Sequence, residues 1–150
     1  MQLKGSTIDE SVVTAFEQRL GHRLPDDYRR FLIEVNGGRP GDTHRRASFG
    51  VMNWFFSLAD PDDERSLAGA NSGIPELPSR DLLCVGYDGS GTDVFVVIAG
   101  ERRGQVWMQD TEDPRPADAN PRVLWHDRRD MEKIADSFSE FMRQLGPLER

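Results

Sequence analysis

The sequence predicts an α+β domain: a helical hairpin, a central antiparallel-rich sheet built as a meander, and a C-terminal helix packed on that sheet. Three observations carry this prediction. Apolar residues recur at helical spacing over positions 8–20 and 28–35. From about residue 49 the period changes to aromatic and β-branched runs separated by Gly-rich turns, and helical spacing returns near the C-terminus. Helices, then strands, then a helix is the order in which helices gather on a sheet. With 150 residues, no internal repeat and no interdomain linker, a single domain over 1–150 is expected, with its core at about 8–145.

Each element has its own signals. Thr7 with Glu10 three residues on reads as a capping box, and Ile8, Val12, Phe16 and Leu20 lay an apolar stripe along the first helix. Gly21 supplies the left-handed stop. Pro25 suits the first position of a second helix, Asp26 and Asp27 favour its positive end, and Tyr28, Phe31, Leu32 and Val35 make its buried face. Asn36-Gly37-Gly38 ends that helix, and the short link between the two predicts a hairpin. Residues 39–46 read as a polar loop carrying Arg39, His44, Arg45 and Arg46. Phe49 to Leu58 reads as one or two strands, and Asp60 to Arg80 as loop with about one helical turn. Leu82–Tyr87 and Thr92–Ala99 are strands joined by hairpin punctuation at 88–91, and Gln105–Gln109 follows a turn as the next strand. Residues 110–121 read as loop and Arg122–His126 as a short edge strand. Asp130 is the expected cap of a last helix whose apolar face is Ile134, Phe138, Phe141, Met142 and Leu145, stopped by Gly146-Pro147.

Composition narrows the function. The longest apolar run is six residues, Val94 to Ala99, far short of the ~20 that a membrane helix needs. No signal-peptide pattern opens the chain, and one cysteine asks for no oxidising compartment, so a cytoplasmic setting is expected. The net charge is −7. Residues 51–100 hold two basic and eight acidic side chains, whereas the flanking thirds are nearly balanced. Nucleic-acid binders carry the opposite footprint, so neither nucleic acid nor membrane is the expected partner. An acidic middle suits a basic protein, because complementary charge speeds encounter and rejects wrong partners; it also serves solubility alone.

Catalytic and cofactor signals are weak throughout. Gly86, Gly89 and Gly91 lie between two strands rather than before a helix, so they serve a turn and not a phosphate. His22, His44 and His126 lack paired metal spacing, and no Ser sits in a nucleophile elbow. Cys84 lies in an apolar strand and reads as an inert buried thiol. Asp88, Ser90, Thr92 and Asp93 offer oxygens at calcium-like spacing, but the late Glu of a calcium loop is missing. Arg45-Arg46 reads as a solvated pair before it reads as a phosphate grip. No enzyme activity, metal or cofactor is therefore expected. The candidate partner-binding residues are Asp60, Asp62, Asp63 and Glu64 in the long loop, Asp88 and Asp93 at the hairpin, and Trp54 as an aromatic anchor.

The stretch Phe16-Glu17-Gln18-Arg19-Leu20-Gly21-His22-Arg23-Leu24-Pro25-Asp26-Asp27-Tyr28-Arg29-Arg30-Phe31-Leu32, closing on Asn36-Gly37-Gly38, resembles the opening motif of the SUKH superfamily. Val85-Gly86-Tyr87-Asp88-Gly89-Ser90-Gly91 is similar to its Gly-x-Asp-Gly-x-Gly turn. Gly104-Gln105-Val106-Trp107 with Asp110 is similar to its Gly-x-Val strand, with the aromatic one place early. Ile134-Ala135-Asp136-Ser137-Phe138-Ser139-Glu140-Phe141 resembles its closing helix. The resemblance spans roughly 8–145 and implies a non-enzymatic protein-binding domain. It points chiefly to a bacterial immunity protein that neutralises a cognate toxin, often a nuclease, of a polymorphic or contact-dependent system. A regulatory scaffold binding a cellular protein is the alternative implied; apart from the resemblance, a small enzyme or ligand binder using an unrecognised site on the sheet's concave face is a lesser reading. The oligomeric state stays open.

Overall fold

The computed structural model describes residues 8–38, 44–46, 50–58, 66–72, 80–88, 92–110, 124–128 and 130–147. Helices α1 (Glu10–Leu20) and α2 (Asp26–Glu34) open the fold. Strands β1 (His44–Arg46) and β2 (Gly50–Phe55) follow, then the short helix α3 (Leu67–Ser72). Strands β3 (Leu82–Asp88), β4 (Thr92–Val97) and β5 (Val106–Asp110) come next. After a 3-10 turn at Trp125–Asp127, β6 (Met131–Ala135), α4 (Phe138–Gln144) and β7 (Gly146–Pro147) complete the chain. The seven strands form one sheet in the order β6-β5-β4-β3-β2-β1-β7, with every neighbouring pair antiparallel. This is the expected α+β meander with helices on it.

The helical hairpin is held by one polar knot. Gly21 ends α1 at φ +79°, in the left-handed region an L side chain avoids. Glu17, buried one turn earlier, accepts the Leu24 N–H at 2.7 Å on one oxygen and the Arg29 Nε–H at 3.1 Å on the other. Arg29 also donates to Glu10 at 2.8 Å and to Thr14 Oγ1 at 3.0 Å. The Glu17 and Arg29 side chains are 9 % and 11 % exposed, so this ion pair works in a partly desolvated setting where losing one partner is costly.

The core lies between the sheet and α2 with α4. Phe55 of β2 meets Phe31 of α2 at 5.4 Å between ring centroids, and Phe138 and Phe141 of α4 at 6.1 and 6.2 Å. Tyr28 packs edge-on to Phe138 at 4.9 Å. Asp27 ties the two helix starts together, accepting the Tyr28 N–H at 2.8 Å and the Ser139 N–H at 2.9 Å.

Two asparagines act as spare pieces of strand. Asn36, at φ +56°, accepts the Leu58 N–H and donates to the Leu58 carbonyl. Asn71 of α3 pairs in the same way with the backbone of Cys84, where β2 has already ended. Gly37 cannot be replaced here: at φ +76°, an added Cβ would lie 2.6 Å from the Phe56 carbonyl oxygen.

Several expectations need correction. Residues 44–46 are a strand, because His44–Arg46 finds partners on both sides in β2 and β7. Trp125–His126 belongs to a 3-10 turn rather than an edge strand; Arg122 lies outside the described residues. The last helix does not start at Asp130. Met131–Ala135 is the edge strand, paired to β5, and the helix begins at Phe138 with Ser137 as its cap. The Ser137 Oγ accepts the Glu140 N–H at 3.0 Å, while Glu140 reaches back to the Asp136 N–H at 3.1 Å. At the first helix Asp9 occupies the cap position and Glu10 serves Arg29; Thr7 lies outside the described residues. Pro25 stands just before α2, at its N-cap position, rather than at its first helical position.

Candidate partner-binding face

Opposed residues of an antiparallel pair share a face, and neighbours along a strand alternate. Register therefore sorts the sheet into two surfaces. Phe55, Gly86, Val94 and Met108 are paired across β2, β3, β4 and β5, on the side where Phe55 meets the helices. The adjacent row is Trp54–Tyr87–Asp93–Gln109–Met131, paired across five strands on the opposite side. Trp54, Tyr87, Asp93 and Gln109 are all half-buried. Three bulges set this row: one in β2 between Met52 and Trp54, one in β3 between Cys84 and Gly86, and one in β6 between Lys133 and Ala135. At the second, the backbones approach so closely that a Cβ on Gly86 would lie 2.3 Å from the Trp54 carbonyl oxygen. Glycine is required there, next to the row rather than in it.

Deeper on the same face the next paired residues, Cys84, Phe95 and Trp107, are buried. Trp125 stands edge-on to Trp107 at 4.9 Å, and the Trp107 indole N–H donates to Gln105 at 2.9 Å. At the β5–β6 end of the row Gln109 donates to Asp130 at 2.9 Å, and Arg128 clamps the same carboxylate with two bonds of 3.0 and 2.8 Å. Burial by itself would raise the Asp130 carboxyl, but the Arg128 and Gln109 hydrogen bonds outweigh it and hold the group below its ordinary value. Tyr87 is held from the side by Phe56, with ring centroids 5.7 Å apart. The face thus offers two aromatic bodies and one carboxylate at its half-buried row, with a fixed polar end.

Trp54 and Asp93, both singled out from the sequence, fall in this one row, separated by Tyr87. Asp88 pairs with Met52 at the end of β3, one step from the row. Asp60, Asp62, Asp63 and Glu64 lie outside the described residues. Tyr87 and Gln109 were not singled out, and Asp130 was read only as a helix cap. Their signal was the two-residue alternation of each strand, which names a face only once register is known.

Groups that could support chemistry are placed for packing. Cys84 is buried, and desolvation together with nearby Asp93 pushes its thiol up to about 12, so no thiolate forms near neutral pH. His126 is 17 % exposed beside Asp127 at 3.3 Å. Among the described residues, no three His, Cys, Asp or Glu side chains are grouped to hold a metal ion. Among the same residues no helix is long and apolar enough to cross a membrane.

One antiparallel sheet, with helices on one side and a half-buried polar-aromatic row on the other, defines an α+β domain whose motifs are devoted to the scaffold. The Leu-Gly and Leu-Pro junctions, the Asn-Gly-Gly turn and the Ser-Phe-x-x-Phe closure all do structural work described above. The SMI1 / KNR4 family (SUKH-1) profile matches residues 7–144, and the chain belongs to that family. It is a family of generally non-catalytic immunity and regulatory domains that interact with other proteins. No curated protein matches the chain closely enough to serve as a relative.

Proposed function

We propose that this protein is an immunity protein that neutralises a cognate toxin domain of a bacterial polymorphic or contact-dependent system. It does so in the cytoplasm, by covering the toxin's active site or an adjacent exosite. The observation that carries this reading is the row Trp54–Tyr87–Asp93 on the sheet face turned away from α2 and α4. Large, half-buried aromatic rings are typical of an interface centre, and a carboxylate at their side suits a basic partner. The acidic middle third supplies complementary charge, with Asp88 paired one step from the row and Asp60, Asp62, Asp63 and Glu64 adding four carboxylates in the sequence. A nuclease toxin must present a basic cleft to its phosphate substrate, and this surface complements it.

The test uses the gene's own neighbourhood. The C-terminal domain of the adjacent open reading frame is expressed in a sensitive bacterium, with and without this protein, and survivors are counted. Killing rescued by this protein supports the reading. Killing without rescue rejects the pairing and favours the regulatory-scaffold role. With a rescued pair in hand, Trp54→Ala should weaken toxin affinity by about thirtyfold or more, the scale of an interface hot spot. Reversing Asp62, Asp63 and Glu64 to Lys should weaken it further at low salt; affinity unchanged within about threefold would remove the loop from the interface.

A further inference from the structure

Away from the sheet face, the end of α1, helix α3 and the β3–β4 ends line a half-open pocket of about 230 Å³. Its apolar lining is Leu20, Leu82, Leu83 and Ile98, the last three at most 3 % exposed. Arg19 and Arg80 also line it, and both are exposed residues. Arg19 is steadied over the Phe16 ring, its Cζ 5.8 Å from the centroid. Among the described residues neither guanidinium has a carboxylate partner. Asp81, the carboxylate next to Arg80 in sequence, lies against Gly100 and does not line the cavity. Asn71 does line it, but its amide is committed to the Leu67 and Cys84 backbone and competes for no ligand. In a chain of net charge −7, two guanidinium groups with no carboxylate partner among the described residues therefore line one small, largely apolar pocket.

We propose that this cavity captures the C-terminal residue of a partner polypeptide that ends in an aliphatic side chain. The volume is below the roughly 300 Å³ at which cavities for drug-sized ligands begin, and it suits one leucine-sized group. The planar, five-donor guanidinium matches a terminal carboxylate, and two of them select that charge over the neutral amides of a mid-chain segment. The apolar walls select the side chain. The site is independent of the sheet-face reading, and either can fail alone.

The test titrates the whole protein with N-acetylated Ala-Ala-Ala-Leu carrying a free carboxylate, followed by calorimetry. Saturable binding is expected, weakened about tenfold or more by amidating the C-terminus and about fivefold or more by replacing the terminal Leu with Lys. Arg80→Ala and Arg19→Ala should each weaken it about fivefold or more with an unchanged melting temperature. Equal affinity for acid and amide would overturn the proposal, and so would no saturation by about 10 mM peptide. Binding of 4-methylpentanoate as tightly as the peptide would replace the polypeptide terminus by a free small acid and equally overturn it.

Discussion

The two faces of the sheet use the same residue types for different ends. On the helix side, Phe31, Phe55, Phe138 and Phe141 meet one another at 5.0–6.2 Å, and each is at most 8 % exposed. On the other side, Trp54 and Tyr87 stand beside Asp93 and Gln109 and remain half-buried. Rings that are satisfied within the chain hold the fold. Rings left half-exposed beside a carboxylate can serve a second molecule. The contrast separates residues whose loss unfolds the protein from residues whose loss should disable it while it stays folded.

The largest effect is expected on the helix side. Phe138→Ala should cost about 4 kcal/mol in urea unfolding, the scale for an aromatic ring removed from a packed core. Glu17→Ala should cost about 3 kcal/mol, because Arg29 loses its buried partner and the Leu24 N–H its acceptor. Trp54→Ala should cost less than either, about 1–2 kcal/mol for a half-buried ring, while removing partner binding; an unfolding cost as large as that of Phe138→Ala would erase the distinction between the faces. A smaller effect is confined to acid. Asp130 is held below its unfolded value near ~3.9, so its contribution is complete above that pH and is lost as pH falls through the lower folded value. Asp130→Asn should therefore flatten stability below about pH 4 while lowering it at pH 7. The smallest effect is expected at Tyr28, whose buried hydroxyl has no hydrogen-bond partner among the described residues. Tyr28→Phe should change stability by less than about 1 kcal/mol, with any gain in the folding direction.

Much of this contrast was legible in the sequence, for reasons that can be named. The hairpin of α1 and α2 was written by a four-residue apolar stripe and by residues with one backbone use each, Gly21 and Pro25. The β3–β4 hairpin and β5 followed from turn residues between apolar runs. The last helix was overextended because Ile134, Phe138 and Phe141 fit helical spacing whether or not Ile134 is helical. Ser137 and Glu140 held the true boundary as a local cap signal. Strand β1 is three polar residues with no period to read, and only β2 and β7 make it a strand. The site was half legible. Trp54 and Asp93 stood out by residue type, but Tyr87 joins them only through a register set by two bulges, and register is a property of pairs of segments. Asn36 reads as a turn residue and Asn71 falls in a stretch read as loop with about one helical turn; their use as strand substitutes depends on segments 22 and 13 positions away.

The two-residue strand β7 carries a consequence for how the protein is made. Its pairs, His44 with Pro147 and Arg45 with Gly146, join segments about a hundred residues apart. At ribosomal speeds of ~5–20 residues per second, β1 waits roughly 5–20 s for its outer neighbour to be synthesised. During that interval His44–Arg46 has a strand neighbour on one side alone, and charged residues such as its two consecutive arginines are a common means of discouraging strand addition at an edge. When β7 arrives, β1 gains its second neighbour, and Pro147 adds no N–H donor of its own to that outer strand.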